Sequence, residues 1–211
     1  MTANLFSAPT PYTAALWAGR AVGLLGGSFN PAHDGHRHIS LEAIKRLGLD
    51  AVWWMVSPQN PLKPVSGMAA LAERVASARD VSAHPRIVVT DIEQALGTRY
   101  TADTLAALCR HFPKTRFIWL MGGDNLHQMH RWKNSDRIFA QTPVAVLARP
   151  PQGDGVKNSP TAEAFKQYRL PESAAMNLKD SPPPAWVFLH IPLNSLSSTA
   201  IRAKTALRDQ P

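Results

Sequence analysis

A chain of 211 residues, 45% of them hydrophobic, is long enough to bury a sizeable core of its own. The formal charge of +8 suits polyanionic ligands, but Lys and Arg are scattered with no basic stripe, which argues against nucleic-acid binding as the main role. No apolar run approaches the ~20 residues of a membrane span, and the single cysteine, Cys109, rules out an intrachain disulfide and favours the cytoplasm.

Residues 1–20 lack a basic start followed by an apolar core, so they do not read as a secretory signal. They read as a poorly ordered extension ahead of a single domain over residues 21–211. AVGLLGG, from Ala21, is a strand ending in glycines. From Gly35 to Leu47 the residues Ile39, Ala43, Ile44 and Leu47 share one helical face. AVWWMV, from Ala51, is a second strand, and SPQNPLKP is a loop by its prolines and Asn60. Met68–Ser82 is helical, RIVVTDI a third strand, and Thr101–His111 a helix. Cys109 lies there in an apolar run, where a free cysteine packs as a small hydrophobe. RFIWLMGG, from Arg116, is a fourth strand, Asn134–Ala140 a short helix, and VAVLA a fifth strand running into Arg149. Residues 150–184 are Pro-rich and weakly periodic, predicting a long loop with a short helix. AWVFLHI, from Ala185, is a sixth strand, and Ser198–Leu207 a last helix.

Strands alternating with helices predict an α/β fold, a doubly wound parallel sheet with helices on both faces. Ligands of such sheets bind beyond the carboxyl ends of the strands, where the strand order reverses.

The first strand ends in Gly26-Gly27-Ser28-Phe29-Asn30-Pro31-Ala32-His33-Asp34-Gly35-His36. This is neither GxGxxG nor a P-loop. Paired glycines allow close backbone approach to a phosphate, and the start of the following helix attracts anions. His33 and His36, three apart, can face the same phosphates and offer imidazole N–H donors to charge developing there. A His-x-x-His pair can also hold a metal, but no third ligand stands at a familiar spacing. The pair can also be simple capping or surface residues. The glycine and proline frame favours phosphate.

GGSFNPAHDGH resembles the HxGH signature of the nucleotidyltransferase superfamily, whose members use a Rossmann-like sheet. Ser197-Ser198-Thr199-Ala200-Ile201-Arg202 is similar to that superfamily's ISSTxIR element, with Leu196 where Ile is usual. Within it the chain resembles the nicotinate-nucleotide adenylyltransferases from about Val22 to Arg202. Ser57–Pro64 is similar to their acceptor-phosphate loop, Thr98–Leu105 to their SYTxxTL segment, and Gly122-Gly123-Asp124-Asn125 to their GxDS element. Trp132 falls where they stack a Trp on the pyridine ring, and Arg149 ends the fifth strand as theirs does. Residues before Ala21 have no obvious counterpart, and residues 150–184 match weakly.

The resemblance implies that AMP passes from ATP to nicotinate mononucleotide by in-line attack of the acceptor's phosphate, releasing pyrophosphate. It implies His33, His36 and Arg202 as catalytic. ATP would be held by Gly26, Gly27, Ser28, Phe29, His33, His36, Gly122, Asp124, Ser197, Ser198, Thr199 and Arg202. The acceptor would meet Asn60, Lys63, Tyr100, Thr101, Trp132 and Arg149. Mg²⁺ would ride on the ATP phosphates, with no metal site in the protein and no nucleic acid or membrane as partner. Thr101 is a good N-cap, and first-turn amides there can hold a nicotinate carboxylate but gain nothing from a neutral nicotinamide. The alternatives are the same transfer to nicotinamide mononucleotide or phosphopantetheine, or a nucleotide-binding regulator without turnover. His127 and His130, a second His-x-x-His, read as polar residues of a helix near the site.

Overall fold

The computed structural model describes residues 8–58, 67–148 and 159–192. Seven strands form one sheet: β1 (Ala21–Gly27), β2 (Ala51–Val56), β3 (Ile87–Thr90), β4 (Arg116–Gly122), β5 (Val144–Ala148), β6 (Arg169–Leu170) and β7 (Trp186–His190). Their order is β3-β2-β1-β4-β5-β7-β6, and every pairing is parallel. The chain winds outward from β1 through β2 to β3, then returns to the other side of β1 to place β4. The strand order therefore reverses between β1 and β4, and a crevice opens beyond their carboxyl ends.

Because both faces of the sheet are covered, the strands are apolar throughout rather than alternating. Trp53 and Met55 of β2 join the core on one face, and Val52, Trp54 and Val56 the core on the other. The first face is covered by α1 (Ala14–Trp17), α5 (Thr101–His111), α6 (Gly123–Gln128), α7 (Ser135–Gln141) and α8 (Pro160–Ala164). The second is covered by α2 (Asp34–Leu47), α3 (Leu71–Ser82) and a 3-10 helix at Glu172–Asp180. A further short helix, α4 (Ile92–Leu96), follows β3. Among the described residues, no helix is long and apolar enough to cross a membrane.

The doubly wound parallel sheet is the one the sequence predicts, and three of the finer expectations need correction. Residues 10–20 are not a loose extension. Trp17 is fully buried and sets its ring edge-on to Trp53 at 4.7 Å. Thr115 Oγ1 donates to Trp17 O at 2.9 Å, and Gly19 N donates to Lys114 O at 2.8 Å. One buried indole anchors a segment whose other residues carry no periodic signal.

The described part of residues 150–184, from 159 onward, is likewise more than a loop. It holds α8, the edge strand β6 and the 3-10 helix, pinned by Glu172, which accepts from Arg46 Nη2 at 2.7 Å and His190 N at 3.0 Å. Strand β6 makes the sheet seven-stranded instead of six. With two residues it is too short to show a period-2 pattern. Arg169, its first residue, lays its guanidinium over Trp186 at 5.3 Å and Phe188 at 5.7 Å. The third correction concerns Thr101, which is the first residue of α5, while Tyr100 is the N-cap.

Candidate active site

The turn between β1 and α2 closes its capping bonds among its own residues and is braced from outside by Trp54, Gly67, Ala69 and Arg74. Phe29 adopts a left-handed φ of 45°, costly for a residue with a Cβ, and its ring compensates by burial. The ring is 1% exposed, stacked on Trp54 at 5.1 Å and against His36 at 4.7 Å. Its side chain is thus a wedge behind His36. From below, Trp54 Nε1 donates to Ser40 Oγ at 2.7 Å, and Ser40 Oγ donates to His36 O at 2.8 Å.

His33 is the N-cap of α2. Its Nδ1 accepts from Gly35 N at 3.1 Å, while His36 Nδ1 accepts from His33 N at 3.3 Å. The two rings lie 3.9 Å apart. A nitrogen that accepts cannot carry the ring proton, so each neutral imidazole holds its hydrogen on Nε2. Capping and ligand binding are therefore not rival readings of the pair. The caps choose the tautomer that makes Nε2 a donor.

Beside this turn, a cleft of about 360 Å³ opens at the carboxyl ends of β1 and β2. Its walls among the described residues are Gly26, Gly27, Ser57, Glu93, Arg99, Tyr100, Thr101, Trp119, Arg131, Trp132 and Lys133. Gly26 is glycine for a packing reason, since a Cβ there would stand 2.6 Å from the Trp119 ring. The half-buried Trp132 meets Trp119 edge-on at 6.5 Å. Tyr100 and Thr101 bring the first turn of α5 to the opposite wall, with Lys133 Nζ 4.3 Å from the Tyr100 ring centre.

Three expected acceptor residues, Tyr100, Thr101 and Trp132, thus come together in one cleft. Gly26 and Gly27, expected at ATP, form the border between that cleft and the histidine turn. Gly122 caps α6, and Asp124 is exposed in its first turn. His127 and His130 are exposed on α6 and the 3-10 turn that follows. Cys109 packs half-buried against the core, where burial pushes its thiol pKa up and removes thiolate character. Asn60, Lys63, Arg149, Ser197, Ser198, Thr199 and Arg202 lie outside the described residues.

Two residues that hold the site together were not expected from the sequence. Arg74 of α3 is 2% exposed. Its guanidinium donates to four carbonyls: Ala69 at 2.9 Å, Ser28 at 2.7 Å, Ser57 at 2.8 Å and Pro58 at 3.0 Å. It fastens the turn after β1 to the segment after β2. Its signal was a cation on the buried face shared by Val75, Ala78 and Ser82. Glu93 is the second. It is 8% exposed, and burial pushes its carboxyl pKa up against the opposing hydrogen bonds from Thr104 and Ser57.

A sheet with a crevice at its reversal point and a capped histidine pair beside an aromatic cleft is the frame of a nucleotidyltransferase. The cytidylyltransferase-like family model matches residues 24–204. A protein of Cereibacter sphaeroides called a probable nicotinate-nucleotide adenylyltransferase is 57% identical, covering 86% of this chain and 96% of its own. One of the same description from a Bradyrhizobium species is 55% identical, covering 86% and 94%. The structure of Plasmodium falciparum nicotinic acid mononucleotide adenylyltransferase complexed with NaAD superposes with a TM-score of 0.65. It covers 87% of this chain and 83% of its own at 15% identity, a likeness of fold. The chain belongs to the cytidylyltransferase-like family and, within it, to the nicotinate-nucleotide adenylyltransferases.

Proposed function

We propose that the protein joins ATP to nicotinate mononucleotide, giving deamido-NAD and pyrophosphate, with the pyridine ring in the Trp132 cleft and the triphosphate at the His33–His36 turn. The observation that carries this reading is the adjacency of the two regions across Gly26 and Gly27.

The acceptor's phosphate is already anionic near neutral pH and needs no general base. It attacks the α-phosphorus of ATP in line, the bond to the β-phosphate oxygen breaks, and pyrophosphate departs. Catalysis is then positioning and charge stabilisation. The Nε2–H groups of His33 and His36 donate to phosphate oxygens as charge builds on the leaving side. Trp132 stacks on the pyridine ring. The α5 amides at Tyr100 and Thr101 receive its carboxylate, with the helix dipole adding about 1–2 kcal/mol in a partly buried setting. Arg99, Arg131 and Lys133, also on the cleft wall, favour an anionic acceptor over a neutral one. Asp124 accepts from the ATP ribose hydroxyls. From outside the described residues, Ser197, Ser198, Thr199 and Arg202 hold the ATP tail, and Asn60, Lys63 and Arg149 meet the acceptor.

Among the described residues no three His, Cys, Asp or Glu side chains gather as a metal cage. Mg²⁺ would be carried on the triphosphate, where it offsets phosphate charge.

The test is a coupled assay with Mg-ATP and either nicotinate or nicotinamide mononucleotide, the product identified by mass. Deamido-NAD should form about tenfold faster, at low acceptor concentration, than NAD forms from the amide. Equal rates with the two acceptors would refute the carboxylate role of the α5 amides.

A further inference from the structure

Glu93 lines the cleft but takes no part in the reaction as derived above. It holds the segment leading into α5 at two points. Its backbone carbonyl accepts from Thr98 N at 3.1 Å, and its Oε1 accepts from Thr104 Oγ1 at 3.1 Å. Thr104 Oγ1 also lies 2.9 Å from Thr98 Oγ1 and 3.2 Å from Tyr100 O. On a third side, Ser57 reaches the same carboxyl, while its own N–H donates to Gly27 O at 2.9 Å. One side chain thus ties the first turn of α5 to the ends of β1 and β2.

We propose that Glu93 is a positioning residue for the acceptor: by gripping Thr98 and Thr104 it sets where the amides of Tyr100 and Thr101 meet the acceptor's carboxylate. This rests on the assignment of the cleft to the pyridine ring. Among the described residues, the other ionisable groups facing the cleft are Arg99, Tyr100, Arg131 and Lys133. A neutral acid at Glu93 leaves the incoming carboxylate unopposed, whereas an ionised one repels it. Burial, the largest influence on Glu93, favours the neutral form.

The test uses the full chain carrying Glu93→Ala, Glu93→Gln or Thr104→Val, with steady-state kinetics on both mononucleotides and on ATP. Glu93→Ala should raise KM for nicotinate mononucleotide about tenfold while kcat and KM for ATP stay within about twofold, the pattern of lost uniform binding. Thr104→Val should raise the same KM to a smaller extent. Glu93→Gln, which keeps the shape and an acceptor oxygen for Thr104, should behave as wild type at pH values where Glu93 is protonated. As pH rises and Glu93 ionises, the wild-type KM for nicotinate mononucleotide should climb, and Glu93→Gln should not share that climb. An unchanged KM in Glu93→Ala, or equal losses toward ATP and acceptor, overturns the role. If Glu93→Ala does not fold, Glu93→Gln and Thr104→Val decide: flat KM in Thr104→Val, or a wild-type pH profile in Glu93→Gln, overturns it. Wild type that ignores nicotinate mononucleotide sinks the cleft assignment itself. Normal wild-type turnover with indifferent variants sinks only Glu93.

Discussion

The histidine turn and the aromatic cleft share a border at Gly26 and Gly27 but are made in opposite ways. In the turn, the capping bonds run between residues two or three apart, His33 to Gly35 and His36 to His33. The cleft draws its wall from five separate stretches of chain, around residues 26–27, 57, 93–101, 119 and 131–133. Local bonds set the two imidazoles relative to each other, whatever the cleft beside them does. A composite wall depends on whatever holds its pieces in register: Arg74, bonded behind it, and Glu93, itself part of the lining.

This contrast is broken most severely at Arg74, which sits beneath both regions. Arg74→Met leaves four carbonyls without their donor. It should cost at least ~3 kcal/mol, since each buried unsatisfied group costs about 1–3 kcal/mol. For a domain of this size that lowers the melting temperature by roughly 6–12 °C, read by calorimetry. A drop under a couple of degrees would mean that the two regions are fastened otherwise.

Next in size is His36→Ala, expected to reduce kcat by about 100-fold or more, the scale of losing one preorganised donor to the transition state. KM for nicotinate mononucleotide should change little, because the cleft wall comes from other stretches of chain, while the lost bond to His33 N should lower the melting temperature by a few degrees. Wild-type turnover in this variant would remove His36 from the chemistry.

The smallest effect falls on the cleft. Trp132→Ala should raise KM for nicotinate mononucleotide by about three- to tenfold, as expected for a lost ring contact worth roughly 0.5–1.5 kcal/mol, with KM for ATP unmoved. A matching rise in KM for ATP would show that turn and cleft are not separable.

The same division decides what could be read from the sequence. The parallel sheet was legible because buried strands such as AVWWMV are uninterrupted apolar runs between amphipathic helices. The histidine turn was legible because its residues are contiguous. Trp132, Tyr100 and Thr101 were grouped through resemblance to a family, as nothing in their spacing shows that they meet in one cleft. Glu93 was missed because a lone acid after a strand looks like any solvated charge, and only the return of α5 over it makes it buried. Trp17 was missed because a four-residue helix has no period to detect. Phe29 was read from the motif that contains it, and nothing in the motif shows that its ring faces inward.

Strand β6 also bears on how the molecule behaves among its own copies. A parallel sheet ending in a long bare strand would offer a row of unpaired amides and carbonyls to any neighbour, the usual seed of intermolecular β-pairing. Here one margin is two residues long, and Arg169 folds its charge across the aromatic rings beside it. Shortness and charge at that border give an incoming strand little template to pair with.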